Sequence, residues 1–535
     1  MNYLIIKTIF AVLFTVCGVF GLTRQYQMLQ QNSYFTVRYL NWYKGFLKNS
    51  KPISIISEII TAVFGTVIVI IVRFEDFLLA VLLLAVCFLS LLSVAVHSVK
   101  LNRNSIKKLV VTARIKRMWV CGAVLLTIPA LLWVLLGGVV ETIACVVLFL
   151  MCLLPEITAV LSLFIMKPVE RVISDYYVND AKKILRNHKN MTVIGVTGSY
   201  GKTSTKFILG RILSERFNTL VTPENYNTPM GIVITVRRDL KPQTEVFVCE
   251  MGAKRKGDIK QDCQIANPDL GIITSIGPQH LDTFGDIETV ISTKFELADW
   301  VKSKNGKMYL NSDNQYISAK SGDYNSVTYG TSTADCVAEE IAYSPKGLTV
   351  TLSYKNNKFK VTSHLLGQHN ALNIAAAAGV ALDLGLTPEE IAFAVSKIKP
   401  VEHRLQLKPY INGATLIDDA YNSNPEGCLE ATRVLGCFEG MKKIIVTPGL
   451  VELGDREYEA NRRLGQEAAK HCDIIVLVGQ KRSIPLKEGV LSEGFNKENL
   501  FVVSSFKQAV SVFTPMCDSN TAILFENDLP DNYLE

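Results

Sequence analysis

Five apolar runs, at roughly 3–22, 53–72, 77–96, 118–136 and 139–160, fill most of the first third of this 535-residue chain. Each approaches the ~20 residues that cross a bilayer as a helix. Backbone in lipid must satisfy its own polar groups, so unless strands close into a barrel such runs can only be helical. The expectation is an all-α region of five membrane spans over residues 1–166. The first run contains Lys7. Its twelve Leu, Ile, Val and Phe residues, at about −0.3 to −0.6 kcal/mol each, outweigh a lysine cost of up to ~3.5 kcal/mol, and Lys7 can snorkel. A cleaved secretory signal wants a small-residue site after the run, where Arg24-Gln25-Tyr26 stands instead.

Charge orients these spans. Residues 1–170 carry 15 Lys and Arg against 6 Asp and Glu, whereas the remainder is nearly balanced. The overall net charge of +7 therefore belongs to the first third and gives no reason to expect nucleic acid. Residues 23–52 hold Arg24, Arg38, Lys44, Lys48 and Lys51 without an acid, and residues 97–117 hold seven basic residues without an acid. The positive-inside rule makes both loops cytoplasmic, with the N-terminus outside and everything after Lys167 inside. In the first loop Phe35, Tyr39, Trp42 and Phe46 recur at helical spacing among Arg38, Lys44 and Lys48. That pattern fits a helix in the headgroup layer, serving as an interfacial anchor or as a platform for a polyprenyl-phosphate headgroup. Glu58, Glu141 and Glu156 fall near span ends and are read as edge residues. The twelve cysteines include no C-x-x-C pair, so neither a disulfide framework nor a zinc site is indicated.

Residues 167–190 have the pattern of a connecting helix. Beyond it, Met191 to Lys206 (M-T-V-I-G-V-T-G-S-Y-G-K-T-S-T-K) joins a β-branched strand, a glycine loop and an amphipathic helix with Ile208/Ile212 and Leu209/Leu213 at i,i+4. This is a phosphate cradle. Loop N–H groups and the helix N-terminus face the anion, Lys202 neutralises it, and the Thr203 hydroxyl holds magnesium. Gly198, Ser199, Tyr200, Gly201 and Ser204 complete the nucleotide loop. The spacing is shorter than G-x-x-x-x-G-K-T, because Val196 stands where that pattern has its first glycine.

Open α/β sheets bind ligands at the carboxyl ends of their strands. A strand at 245–249 delivers Glu250 there, and one at 270–274 leads into Gly277-Pro278-Gln279-His280. A carboxylate there can hold magnesium or orient a nucleophile; a lone histidine is more often structural than catalytic, but His280, after a Gly-Pro turn at a strand end, is a better candidate. A helix at 291–297 carries Lys294, a surface lysine by pattern. Short strands at 325–365 include a hairpin turning at Asn356-Asn357, and an Ala-rich helix begins near Gly367. A boundary is expected at Lys399-Pro400. A second βα series follows, with strands near 414–418, 442–447, 473–478, 500–503 and 520–525, which predicts a Rossmann-like domain over 399–535. Its first strand ends in Asp418-Asp419, a pair that could cap the next helix.

The order G-S-Y-G-K-T-S-T-K, N-Y-N-T-P-M-G, C-E-M-G-A, I-G-P-Q-H-L-D-T-F-G, T-K-F-E, G-Q-H-N-A-L-N, H-R-L-Q and D-D-A-Y-N-S-N-P resembles the Mur ligase family over about residues 190–525. It looks closest to the branch that adds D-alanyl-D-alanine to a peptidoglycan peptide precursor. The resemblance implies a P-loop central domain with a mixed sheet at 191–398, and an ATP-dependent amide ligase working through an acyl phosphate. It also implies two magnesium sites. Thr203, Glu250 and His280 would serve them, and Lys294 would be carbamylated into a metal-bridging anion beside two cations. Lys202 would hold the β/γ-phosphates, Asn370 and Asn373 would meet adenine, Asp419 the ribose, and Arg404 the nucleotide across the interdomain cleft.

Two departures stand out. Membrane spans occupy the place of the family's UDP-gripping domain, so the precursor is UDP-linked or lipid-linked. The branch's terminal K-G-S-R is replaced by an acidic stretch with Glu526, Asp528 and Asp531, which either favours a cationic amine or is a solvated tail. The expected partners are a cell-envelope precursor, an amino acid or dipeptide, and membrane lipid. A poly-γ-glutamate-synthetase-like ligase is the alternative within enzymes. A membrane transport ATPase would want an L-S-G-G-Q-type signature, which the chain lacks. A non-catalytic scaffold would have no use for Lys202, Glu250, His280 and Lys294.

Overall fold

The computed structural model describes residues 2–49, 77–105, 107–224, 226–279, 281–420, 424–451 and 453–528. It divides into two compact units, one ending at Asp175 and the other spanning Tyr176–Asp528.

Among the described residues of the first unit, all regular structure is helical: Asn2–Gln31, Thr36–Asn49, Phe77–Asn104, Ala113–Leu135, Gly138–Leu153 and the start of Pro155–Asn187. Three segments, Leu4–Gln31, Ala80–Asn104 and Ala113–Leu135, are long and apolar enough to cross a membrane. The run 53–72 lies outside the described residues. The run 139–160 is not one straight span. Its helix stops at Leu153 and a second starts at Pro155, bent by 95°, because proline disfavours helical backbone in the preceding residue. Of the four expected spans that fall among the described residues, three stand as single candidate spans, and the bent pair is a fourth if it counts as one. Close packing relies on small residues: a Cβ on Gly18 would lie 2.6 Å from Cys152 Sγ, and one on Gly122 2.6 Å from Tyr26 Oη. Lys7 does not snorkel. It is buried and pairs with Glu141, so this glutamate is more than an edge residue. Glu156 accepts from Tyr43 Oη at 2.5 Å, and Tyr43 lies on the aromatic helix Thr36–Asn49 expected from the loop pattern.

The second unit begins with a nine-stranded mixed sheet ordered β2-β3-β1-β4-β5-β6-β7-β8-β9. The strands are β1 (Thr192–Thr197), β2 (Thr219–Val221), β3 (Val246–Glu250), β4 (Leu270–Ile273), β5 (Lys307–Asn311), β6 (Ser326–Gly330), β7 (Cys336–Ser344), β8 (Gly347–Tyr354) and β9 (Asn357–Ser363). From β2 to β7 the neighbours run parallel, and β7-β8-β9 is an antiparallel meander. Its hairpin turns at Lys355-Asn356, one residue earlier than the sequence suggests, with Lys355 at φ +53°. Helices cover both faces. Ile208 and Ile212 of helix Lys202–Leu213 share one core with Ala375–Ala378 of helix His369–Asp383. Phe295 and Leu297 of helix Ile287–Ser303 lie in the core on the opposite face. With β1 central and buried on both sides, its near-continuous apolar reading is explained.

A second sheet follows, ordered β10-β11-β15-β12-β13-β14. Its strands are β10 (Gln406–Pro409), β11 (Thr415–Asp419), β12 (Lys442–Thr447), β13 (Ile474–Val478), β14 (Leu500–Val503) and β15 (Thr521–Glu526). All pairs are parallel except β10 with β11. Five strands lie within a residue of their expected places. The half-exposed edge strand β10, four residues ending in proline, is too short to leave a periodic signal in the sequence. The helix after β11 is capped by Asn424, whose Oδ1 accepts from Gly427 N at 2.9 Å, and not by the Asp418-Asp419 pair.

Candidate active site

β1 ends at Thr197 between β3 and β4, and the chain turns at once into helix Lys202–Leu213. Two glycines make this turn possible. Gly198 has φ +152°, and a Cβ there would sit 2.1 Å from Thr274 Oγ1; Gly201 has φ +78° and would drive a Cβ to 2.9 Å from Asn373 Oδ1. The loop is braced from the strand beside it. Ser199 N donates to Ser275 O at 2.6 Å and Tyr200 N to Ser275 Oγ at 3.0 Å. Ser199 Oγ donates to Gly277 O and Tyr200 Oη to Pro278 O, so these two side chains act as struts of the cradle.

Lys202 Nζ folds back on its own loop, donating to Gly198 O at 2.7 Å and Ser199 O at 2.9 Å. Burial pushes its pKa down to about 8, with Glu250 opposing the fall and Arg404 adding to it. Glu250, fully buried at the end of β3, gathers the polar groups. Its Oε1 accepts from Thr203 Oγ1 at 3.1 Å and from Asn227 Nδ2 at 2.9 Å, and its Oε2 lies 3.0 Å from Lys206 Nζ. Burial alone would raise the Glu250 carboxyl, but Lys206 and Lys202 outweigh it and hold the group below the usual carboxylate range. Lys206 and Asn227 were not singled out from the sequence. Their signal lay inside two quoted motifs, as the final Lys of G-S-Y-G-K-T-S-T-K and the second Asn of N-Y-N-T-P-M-G.

Lys294 is buried in helix Ile287–Ser303, not on its surface. Burial drives its pKa well below the normal lysine value and nearby Lys202 pushes it the same way, while Asp258, Asp262 and Glu250 pull it back. Asp262 is also fully buried, and neither carboxyl oxygen has a hydrogen-bond partner among the described residues. Desolvation raises its pKa well above the ordinary value. His280 lies outside the described residues. Among those described, no group of three His, Cys, Asp or Glu side chains forms a metal cluster.

Within this unit a cavity of about 970 Å³ opens between the two sheets' domains, a volume fit for a nucleotide. Tyr200, Gly201, Ser204, Asn370 and Asn373 line it on one side, Arg404 and Asp419 on the other. Asn373 Nδ2 donates to Asn370 Oδ1 at 2.9 Å, its Oδ1 accepts from Thr205 Oγ1 at 3.0 Å, and Asn370 Nδ2 donates to Leu366 O at 2.8 Å. Asn373 thus ties the Ala-rich helix to helix Lys202–Leu213 just after the glycine loop, as well as facing the cavity. Asp419 accepts from Leu405 N at 3.1 Å. Burial pushes its pKa up to about 6, against the pull of Arg404, the Leu405 N–H and a hydrogen bond with Glu526.

Comparison with known proteins decides the family. The Mur ligase middle domain profile matches residues 196–381, and the profile described as "Mur ligase, glutamate ligase domain" matches residues 403–526. The chain belongs to the Mur ligase family. It is 30% identical over 336 residues to the UDP-N-acetylmuramoyl-tripeptide–D-alanyl-D-alanine ligase of Bacillus subtilis, covering 62% of this chain and 72% of that one. Among solved structures, MurF of Acinetobacter baumannii superposes with a TM-score of 0.60 at 26% identity, over 66% of this chain and 77% of its own. MurF of Thermotoga maritima in complex with ADP gives 0.60 at 28%, over 66% and 80%.

Proposed function

We propose that this Mur ligase is a membrane-anchored, ATP-dependent amide ligase acting on a peptidoglycan-type precursor, by addition of D-alanyl-D-alanine or an amino acid. The observation that carries the reading is the cluster around Glu250. A buried carboxylate and the Thr203 hydroxyl stand 3.1 Å apart beside a phosphate-loop lysine, the hard-oxygen pair that magnesium selects. Bound ATP would supply a γ-phosphoryl group to convert a substrate carboxylate into an acyl phosphate, which an amine then attacks with release of phosphate. Lys202 would leave its loop carbonyls to meet the β/γ-phosphates, lowering the charge on the transferring group. Thr203 and Glu250 would hold one magnesium, and His280 and a modified Lys294 would serve the second. Gly198, Ser199, Tyr200, Gly201 and Ser204 would shape the phosphate cradle, Asn370 and Asn373 would receive adenine, Asp419 the ribose hydroxyls, and Arg404 the phosphates.

Carbamylation of Lys294 is supported by its environment. The free amine, not the ammonium, attacks carbon dioxide: an N–C bond forms, a proton leaves, and an anion results. Burial with Lys202 close by favours the free amine. Lys294→Ala is expected to lose nearly all activity and to regain part of it with a small carboxylate such as formate; full activity of the alanine variant would sink the role.

The apolar helices and the basic loops 23–52 and 97–117 support a multi-pass membrane location with the catalytic domains in the cytoplasm. Under the domain division proposed here, residues 1–166 are the membrane region, 167–190 a connector, 191–398 the ATP-binding domain and 399–535 the C-terminal domain. The test supplies the full chain in detergent with ATP and magnesium, UDP-linked or lipid-linked muropeptides, and a panel of amines. Phosphate release and product mass are scored. No turnover with any carboxyl donor, combined with ATP hydrolysis stimulated by a solute, would favour a transport ATPase instead.

A further inference from the structure

The segment joining the two catalytic domains has an unusual backbone on both sides of Arg404. His403 has φ +58° and Leu405 φ +45°, a region that residues with a Cβ seldom enter and bulky aliphatic residues least of all. Such backbone persists where its surroundings hold it. Here the two aspartates that end β11 do so. Asp418, buried, places Oδ2 2.7 Å from His403 Nδ1 and 2.7 Å from Lys408 Nζ. Asp419 Oδ1 accepts from Leu405 N at 3.1 Å. The β10–β11 pairing, with Gln406 opposite Asp418, fixes the register that brings these groups together. Arg404, between the two left-handed residues, lines the nucleotide cavity.

We propose that Asp418 and His403 are positioning residues: they clamp the interdomain linker in its left-handed conformation so that Arg404 is delivered to the nucleotide. This rests on the reading of Arg404 as a phosphate contact. The paired acids at the end of β11 then have separate tasks. Asp419 lines the cavity and holds one backbone N–H, while Asp418 faces the linker and does not line the cavity. Lys408 balances the Asp418 charge, and His403 carries its proton on Nδ1 to donate to Asp418 Oδ2.

Glycine enters the left-handed region without strain, which makes the test specific. In the full chain, His403→Ala removes the handle and leaves a Cβ-bearing residue in strained backbone. KM for ATP should rise about tenfold, near the equilibrium weight of one unrestrained left-handed residue, with kcat changed less than about twofold. His403→Gly should recover most of the loss. Asp418→Asn should behave like His403→Ala, and hydrogen exchange at Leu405 N–H should quicken in both. Arg404→Ala should raise KM at least as far, with His403→Ala adding nothing on top of it. Unchanged KM in His403→Ala, or His403→Gly as impaired as His403→Ala, overturns the clamp. Unchanged KM in Arg404→Ala overturns the nucleotide reading and the positioning role with it, while the exchange rates separately report whether the linker was held.

Discussion

Lys206→Met is the sharpest test of how this site is held together. Lys206 is fully buried, its ammonium 3.0 Å from Glu250 Oε2 and 2.6 Å from Glu224 O. Methionine keeps most of the volume and removes the charge, leaving the Glu250 carboxylate buried with Lys202 as its remaining cation. Removing one partner of a buried pair costs about 3–5 kcal/mol, which in a domain of this size lowers the melting temperature by roughly 6–10 °C. The carboxyl can escape part of that cost by taking a proton, because burial raises its pKa once Lys206 no longer opposes it. If Glu250 holds magnesium as proposed, the ion must then displace that proton, and the magnesium concentration for half-maximal activity should rise. The assay is a thermal melt of the full chain in detergent, run on Lys206→Met, Glu250→Gln and the double variant. The double variant should be less destabilised than the sum of the singles by about 1–3 kcal/mol. A Lys206→Met melt within 2 °C of the parent, to take a rough threshold from the same scaling, or strictly additive singles, would refute the argument.

If Asp419 receives the ribose as proposed, ATP affinity depends on pH. With its pKa raised to about 6, the carboxyl is neutral below that value and a full acceptor for ribose hydroxyls above it. KM for ATP should fall as pH rises through about 6, and Asp419→Asn should flatten the profile. Asp383 works in the opposite sense on stability. Its carboxylate accepts from Lys307, Lys355, Tyr309 and Tyr354, and these donors outweigh burial to hold its pKa at about 2. A depressed pKa contributes stability that is complete above about pH 4 and fades as pH falls toward the folded value. Asp383→Asn should therefore cost about 1–3 kcal/mol at neutral pH, and its gap to the parent should close between pH 4 and 2.

Most of the fold was legible because its signals are local. The glycine loop announced itself by residue type, and Gly198 and Gly201 occupy backbone that a Cβ would block. Ile208, Leu209, Ile212 and Leu213 were read from spacing, and all four are buried. What escaped is set by distant partners. Lys294 has the local pattern of an exposed helix lysine, and its burial depends on the neighbouring helix Asp258–Ala266. Glu526 reads as part of an acidic stretch, a preference for a cationic amine or a solvated tail, yet it is fully buried and in register with Asp419 across β11 and β15. Strand register is invisible in a single sequence when both ends are polar. The bend at Leu154 was carried by one proline inside a run whose hydrophobicity masked it.

The helix that follows the glycine loop carries two lysines, Lys202 and Lys206, and under the proposed function each has its own task. A carboxylate that binds magnesium must stay ionised while buried, and a phosphate-binding lysine must be able to leave its resting partners. One lysine cannot meet both demands, since a cation committed to the carboxylate is not released to the nucleotide without stranding a buried charge. Here the tasks are divided one helical turn apart. Lys206 is locked against Glu250 Oε2 and Glu224 O. Lys202 rests on the carbonyls of Gly198 and Ser199, neutral acceptors that cost little to abandon when phosphate oxygens arrive. The i,i+4 spacing puts both lysines on one face of the helix, level with the ends of β1 and β3. With Glu250 as the proposed metal ligand, Lys206 would balance its charge in the resting site, and that would leave Lys202 to follow the phosphate.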